Sequence, residues 1–178
     1  MNLITQIDYS SVFLGLILAM VLGLILGLER NIAGKLAGMR TYALVSMGSA
    51  LFVIISRLVA FQYAGLSNFD PLRMASQVVV GVGFLGAGLV FFKGNHLFGI
   101  TTAAGIWVDA GIGIACGFEL YALAIFVTGL TIFVFTIMWI IERDFLQAWG
   151  EKKVGSKKTK EKEEIVSGES ELESKDVE

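Results

Sequence analysis

Gly81-Val-Gly-Phe-Leu-Gly-Ala-Gly88, followed closely by Gly99-Ile-Thr-Thr-Ala-Ala-Gly-Ile-Trp-Val-Asp109, is the stretch on which the fold turns. It is apolar enough for a bilayer, yet it carries repeated glycines, two adjacent threonines and one carboxylate at depth. A helix facing lipid has no use for any of these. Small residues let helix backbones approach closely, and polar ones inside a membrane need an internal partner or water. The pattern predicts a helical hairpin at the packed centre of a membrane protein, with the other segments arranged around it.

Composition agrees. The chain has 178 residues, of which 55% are hydrophobic and one is proline, and its mean hydropathy is +0.73. A soluble domain of this size needs far more polar surface, so the class is integral membrane, all-α. A spanning helix needs about 20 mostly apolar residues. Five windows qualify, roughly 11–29, 41–63, 72–92, 99–117 and 119–141. These give a five-helix membrane domain over residues 1–145 and a charged tail over 146–178. The first window lacks a basic segment before it and the membrane chain continues past it, so it reads as a span and not as a signal peptide.

Charge sets the expected orientation. The first loop carries Arg30, Lys35 and Arg40, the third carries Lys93, and eight of the fourteen Lys and Arg residues follow Ile141. The positive-inside rule then places the N-terminus outside and the C-terminus in the cytoplasm. Basic residues beside a membrane anchor, without base-stacking aromatics, exclude nucleic acid as a partner. The tail has six lysines between Lys152 and Lys162, then seven acids and one lysine from Glu163 onward. Its low hydrophobicity predicts a solvated segment. Trp139 and Trp149 suit the cytoplasmic interface.

Within the spans, Gly15, Ala19, Gly23 and Gly27 form a ridge at four-residue spacing, suited to close helix contact. Gly83, Gly86, Gly88, Gly105 and Gly113 are assigned the same packing role. Thr102, Gly105, Asp109, Gly113 and Cys116 recur at steps of three or four and form one small, partly polar stripe. Asp109 lies about 12 Å along its helix from Thr101, near the midplane, and must face the interior. Asp70 before Pro71 is a helix-start signal. With Arg57, Arg73 and Gln77 it defines an outer polar cluster, for which a cap and two snorkelling arginines are the simpler reading. The fifth window is bulky nearly all round, as expected of a peripheral helix.

A shift of 61 residues superposes Gly27 on Gly88, Leu28 on Leu89, Leu36 on Leu97, Gly38 on Gly99, Thr41 on Thr102 and Ala43 on Ala104. Helices 1–2 and 3–4 are therefore expected to be parallel repeats about an axis along the membrane normal. Thr41 and Thr102 would then sit at equivalent helix N-termini, where N–H groups, hydroxyls and nearby Arg40 could hold an anionic group. Ordinary capping is the alternative.

Gly27-Leu-Glu-Arg30 with Ala37-Gly-Met-Arg-Thr41, Asp70-Pro-x-Arg73 with Gln77, Gly83-Phe-Leu-Gly-Ala-Gly88 and Thr101-Thr-Ala-Ala-x-x-Trp107 resemble the signatures of the MgtC/SapB family of bacterial inner-membrane proteins. The match covers residue 12 to about 141. The resemblance implies a five-helix membrane domain and a link to growth under magnesium limitation and, in pathogens, to survival inside host cells. Some relatives are described as restraining the membrane ATP synthase; others are labelled magnesium transporters. The characteristic positions map to Glu29, Arg30, Arg40, Thr41, Asp70, Arg73, Gln77, Thr102 and Trp107. Longer members carry a folded cytoplasmic domain after the last helix where this chain has its charged tail. Asp109 stands where a small or uncharged residue is expected.

Two functions follow as expectations. The first is a regulatory membrane protein that binds another membrane complex through its helices. The second is a transporter or channel for Mg²⁺ or another cation, with Asp109 and Glu29 as candidate metal ligands multiplied in a homo-oligomer such as a dimer. No resident cofactor is expected. An enzyme is disfavoured, because His96 is the only histidine and no nucleophile–base pair is evident. Cys116 is alone, so no internal disulfide forms.

Overall fold

A computed structural model describes residues 9–62, 70–138 and 140. The expectations for Trp139, Trp149 and the tail lie outside the described residues. The chain forms two compact units, Met1–Phe135 and Thr136–Glu178; every contact below lies within the first.

Five helices are long and apolar enough to cross a membrane: α1 (Tyr9–Ile32), α2 (Met39–Gln62), α3 (Leu72–Leu89), α4 (Ile100–Gly117) and α5 (Tyr121–Met138). The shorter ones, of 18 residues, reach about 27 Å, close to the hydrocarbon thickness. The chain is thus a multi-pass membrane protein in contact with a lipid bilayer.

Helix ends follow local chemistry. The α1 C-terminus closes with Lys35 N–H on the Arg30 carbonyl (3.0 Å) and Gly34 N–H on the Asn31 carbonyl (3.1 Å). Gly34 takes φ +64° there, the left-handed C-terminal cap that glycine allows without strain. The α4 end repeats the motif with Leu120 N–H on the Ala115 carbonyl (2.9 Å) and Glu119 N–H on the Cys116 carbonyl (3.0 Å). Here the left-handed residue is Glu119, at φ 64°. Asp70 accepts a hydrogen bond from the Leu72 N–H at 2.9 Å, which fulfils its expected role at the start of α3.

The window expected as 72–92 ends early. Phe91–Lys93 (β1) and His96–Phe98 (β2) pair antiparallel, with Phe91 opposite Phe98 and Lys93 opposite His96. Gly94 has φ +63° and Asn95 does not share the positive sign, so the two-residue loop has glycine in the first central position of a type II′ turn. The two phenylalanine rings stack at 5.9 Å. The fold is therefore helical with one small β-hairpin, where the sequence reading expected a plain loop.

The centre of the bundle is α4, with 56% of its span buried; α3 has only 17% and α5 22%. The expectation that α3 and α4 together form the packed core holds only for α4. α3 touches α4 through Gly86 and Ala103, while Phe84 is 82% exposed. The fifth helix is bulky outside, as expected, yet it sets Ala124, Thr128 and Phe135 against the core.

Glycines decide how close the helices come. A Cβ on Gly23 would lie 2.7 Å from the Tyr42 carbonyl oxygen, and one on Gly27 would lie 2.5 Å from the Met39 Cα, so α1 and α2 touch backbone to backbone. Gly113 and Gly117 do the same for α4: a Cβ at Gly113 would run into the Ser46 carbonyl, and one at Gly117 would lie 2.9 Å from the Ala50 carbonyl oxygen, while one at Gly105 would meet the Tyr42 and Phe135 side chains. Gly15 meets the Cys116 carbonyl oxygen at 3.1 Å, and Ala19 is fully buried. Gly83 and Gly88 differ from expectation. A Cβ on either meets nothing within 4 Å among the described residues, so neither packs closely against them.

Candidate functional site

The polar side chains that the bundle encloses come from four helices. Arg30 at the end of α1 is 2% exposed, and Tyr42, Ser46 (α2) and Asp109 (α4) are fully buried. Arg30 is paired with its neighbour Glu29, Nε to one carboxylate oxygen and Nη2 to the other at 2.7 Å. The flat face of the guanidinium lies 3.6 Å from the centre of the Phe135 ring on α5, a cation–π contact that suits a buried arginine. This ion pair leaves its acid on the wetter side: Glu29 is 19% exposed against 2% for Arg30.

Asp109 lies one turn deeper. Gly105 and Gly113 flank it at four residues on either side, on the same helix face. Gly105 abuts the Tyr42 hydroxyl and the Phe135 ring, and Gly113 abuts the Ser46 carbonyl. Asp109 therefore points at α2 between Tyr42 and Ser46, themselves one turn apart. A Cβ at Gly105 would meet both the Tyr42 hydroxyl and the Phe135 ring over which Arg30 lies, which places Tyr42, Arg30 and this part of α4 in one neighbourhood. Tyr42 Oη, Ser46 Oγ and both Asp109 carboxylate oxygens have no hydrogen-bond partner. Four convergent polar atoms, buried and unsatisfied, are rare in a native interior.

The other expected site residues fall in separate places. Arg57 does not join Asp70, Arg73 and Gln77. It donates from Nη1 to the Gly117 carbonyl (2.7 Å) and from Nη2 to Glu119 (2.9 Å), tying α2 to the α4–α5 turn. Arg73 and Gln77 are exposed on α3. Thr102 is buried while Thr41, Thr101 and Arg40 are exposed. The Thr41 N–H is already bonded to the Gly38 carbonyl at 3.1 Å, so it is not available to an anion. Trp107, one of the characteristic positions, is 55% exposed on the outer face of α4. Both oxygens of Glu29 are occupied by Arg30. Among the described residues no three His, Cys, Asp or Glu come together as metal ligands. Tyr42 and Ser46 went unread in the sequence, where their four-residue spacing places them on one face of α2 without showing which way that face turns.

A second feature lies on the outside. Leu44, Gly48, Phe52, Met74, Gly81 and Leu85 line an apolar groove of about 510 Å³ between α2 and α3. A Cβ on Gly48 or Gly81 would meet nothing within 4 Å among the described residues.

The sequence pattern of the MgtC family matches residues 16–144, spanning α1 to α5. The chain belongs to the MgtC family. Among curated relatives it is 43% identical over 127 residues to the Escherichia coli (strain K12) protein named "Putative magnesium transporter YhiD", covering 68% of this chain and 58% of that one. It is 44% identical over 89 residues to "Protein MgtC" of Brucella abortus (strain 2308), covering 50% of this chain and 35% of that one. A Haemophilus influenzae protein is 37% identical over 157 residues, 86% of this chain and 64% of its own. The chain thus spans less than two thirds of the length of each of these relatives. No solved structure matches it.

Proposed function

We propose that this MgtC-family chain is a bacterial inner-membrane protein that serves magnesium homeostasis and adaptation to low Mg²⁺ by docking against another membrane complex. The names of its relatives connect the family with magnesium. The observation that carries the docking reading is the groove between α2 and α3. Its floor has glycines at Gly48 and Gly81 that no atom among the described residues approaches. A lipid tail fits a wall of any small side chain, whereas glycine at the floor lets a helix backbone come close. The occupant is accordingly a transmembrane helix of the partner, the ATP synthase being a candidate from the family resemblance.

The orientation belongs to this reading: N-terminus outside and C-terminus in the cytoplasm, from the distribution of Lys and Arg. So does the internal repeat, supported by α2 and α4 starting at Met39 and Ile100, in the 61-residue register of the motifs. Transport of Mg²⁺ through paired Glu29 and Asp109 has less support, because Glu29 is taken up by Arg30. Gly81→Leu fills the groove without touching the core. It is expected to abolish rescue of growth at low Mg²⁺ while the protein accumulates normally in the membrane, and to abolish in-membrane crosslinking to the partner. Full rescue by the variant overturns the proposal, and so does Mg²⁺ uptake by the purified protein in liposomes. Crosslinking only between two copies of the chain would replace the partner by a homo-oligomer.

A further inference from the structure

We infer that Asp109, Tyr42 and Ser46 form an interior binding site for a small monovalent cation of the sodium class. Asp109 supplies two carboxylate oxygens, Tyr42 and Ser46 one hydroxyl oxygen each, and all three side chains are fully buried. Among the described residues none of these four atoms has a side-chain hydrogen-bond partner, and the Ser46 backbone lies close enough to act on the Asp109 carboxyl. Geometry keeps them facing each other: Gly105 above Asp109 rests on the Tyr42 hydroxyl, and Gly113 below it rests on the Ser46 backbone. A cluster left this way costs free energy at every atom unless something fills the gap.

Charge selects the occupant. The one buried cation nearby, Arg30, is neutralised by Glu29 through two hydrogen bonds. When ionised, Asp109 meets no counter-charge from the described residues, and the local balance is then minus one. A single positive charge restores neutrality; a divalent ion would leave an excess in the least polar part of the bundle. Hard, all-oxygen donors suit an alkali cation. Mg²⁺ fits poorly, since it retains several waters and demands an octahedron, while α2 and α4 press together at Gly105 and Gly113 on either side of the carboxylate. The same closeness favours Na⁺ over K⁺. Water alone would satisfy the hydroxyls and leave the charge uncompensated.

The test uses full-length protein in detergent, with N-methylglucamine chloride as the background salt at constant ionic strength. Thermal unfolding is followed as NaCl, KCl or MgCl₂ replaces it, and ²²Na⁺ binding is measured directly. A saturable rise in Tm with Na⁺, smaller with K⁺, together with stoichiometric ²²Na⁺ binding, is the expected result. Asp109→Asn should lose both. Ser46→Ala removes one ligand and should weaken apparent Na⁺ affinity on the order of tenfold. Should Asp109→Asn fail to fold, Ser46→Ala and Tyr42→Phe still decide: unchanged affinity in both overturns the site. Stability indifferent to the cation overturns it too, as water or a proton would then be the occupant. A response to Mg²⁺ but not Na⁺ also refutes it, in favour of a divalent site. This outcome is separate from the docking proposal, whose groove is lined by Leu44, Gly48 and Phe52 of α2 and not by Tyr42 or Ser46.

Discussion

Replacing Gly113 by alanine adds one methyl group at the place where α4 lies closest to α2. The new Cβ would collide with the Ser46 carbonyl oxygen, and would lie 2.8 Å from its carbon and 2.9 Å from the Ser49 Cβ. Two of these three atoms are backbone, so no side chain can rotate away. The whole of α2 must move, and α1 with it, because Gly23 and Gly27 hold those two helices backbone to backbone. Overpacking of a well-packed core costs about 1–3 kcal/mol, and a backbone obstacle belongs at the upper end. With about 2–4 °C per kcal/mol for a chain of this size, Gly113→Ala should lower Tm by about 6–12 °C. Gly111→Ala is the matched control, two residues away in the same helix, where a Cβ meets nothing within 4 Å among the described residues. It should leave Tm within error. Fluorescence-detected size exclusion after a heating series, on both variants in the same detergent, gives the comparison. Equal melting of Gly113→Ala and the parent would refute the close approach of α2 and α4, and the interior site with it.

Removing the acid from the buried ion pair tests a different part of the core. Glu29→Gln leaves Arg30, 2% exposed, without its counter-charge, and loss of one partner of a buried pair costs about 3–5 kcal/mol. The partial exposure of Glu29 should hold the measured value, from thermal unfolding in detergent, near or below the lower bound. Glu119 carries two opposed effects: a left-handed backbone at φ 64° and a salt bridge to Arg57 at 2.9 Å. Glu119→Gly should relieve about 1 kcal/mol of backbone strain and lose about 0–1 kcal/mol from an exposed pair, so its Tm should barely change. Arg57→Ala strips the Gly117 carbonyl as well and should destabilise by about 1–2 kcal/mol in the same assay. Gly94→Val forces a β-branched residue into φ +63°; it should open the hairpin to limited proteolysis between Phe91 and Phe98 without altering the melting of the helices.

The span pattern was legible because hydropathy acts over about twenty residues and tolerates local error. All five windows agree with the helices to within three residues, and only at the end of α3 does the excess cover another element, the strand β1. There the signal was present but misweighted: Lys93-Gly-Asn-His96 between aromatic pairs is a hairpin sequence, read as a mere turn because the surrounding chain was read at membrane scale. Asp109 was placed correctly in the interior by cost alone, since a carboxylate at midplane has nowhere else to go. Ser46 was not, because a serine hydroxyl in a helix can be satisfied by its own backbone, as Ser49 does on the Val45 carbonyl at 2.8 Å. Nothing in sequence separates a hydroxyl that turns back from one that turns inward. Arg57 was assigned to Asp70 because they share one end of the bundle; the Gly117 carbonyl left free at the end of α4 proved the stronger attraction.

Glycine shows why the finer architecture escapes a sequence reading. Gly83 and Gly113 each sit in an apolar, glycine-rich helix, yet one faces open space and the other the backbone of α2. Close approach within the chain and exposure to a partner call for the same residue, because both require an absent side chain. The structure separates them by what a Cβ would meet. Those at Gly23, Gly27, Gly105, Gly113 and Gly117 would strike atoms of this chain, and hold α1, α2 and α4 together. Those at Gly48, Gly81, Gly83 and Gly88 would strike none among the described residues. The first set fixes the interior in which Asp109 is enclosed; the second lies on α2 and α3, and two of its members, Gly48 and Gly81, line the groove. Alanine scanning across both sets should therefore divide by phenotype: core glycines lose stability, outer glycines keep it and lose only what depends on association. A variant at Gly81 or Gly83 that unfolded the protein would put α3 in the core and dissolve the distinction.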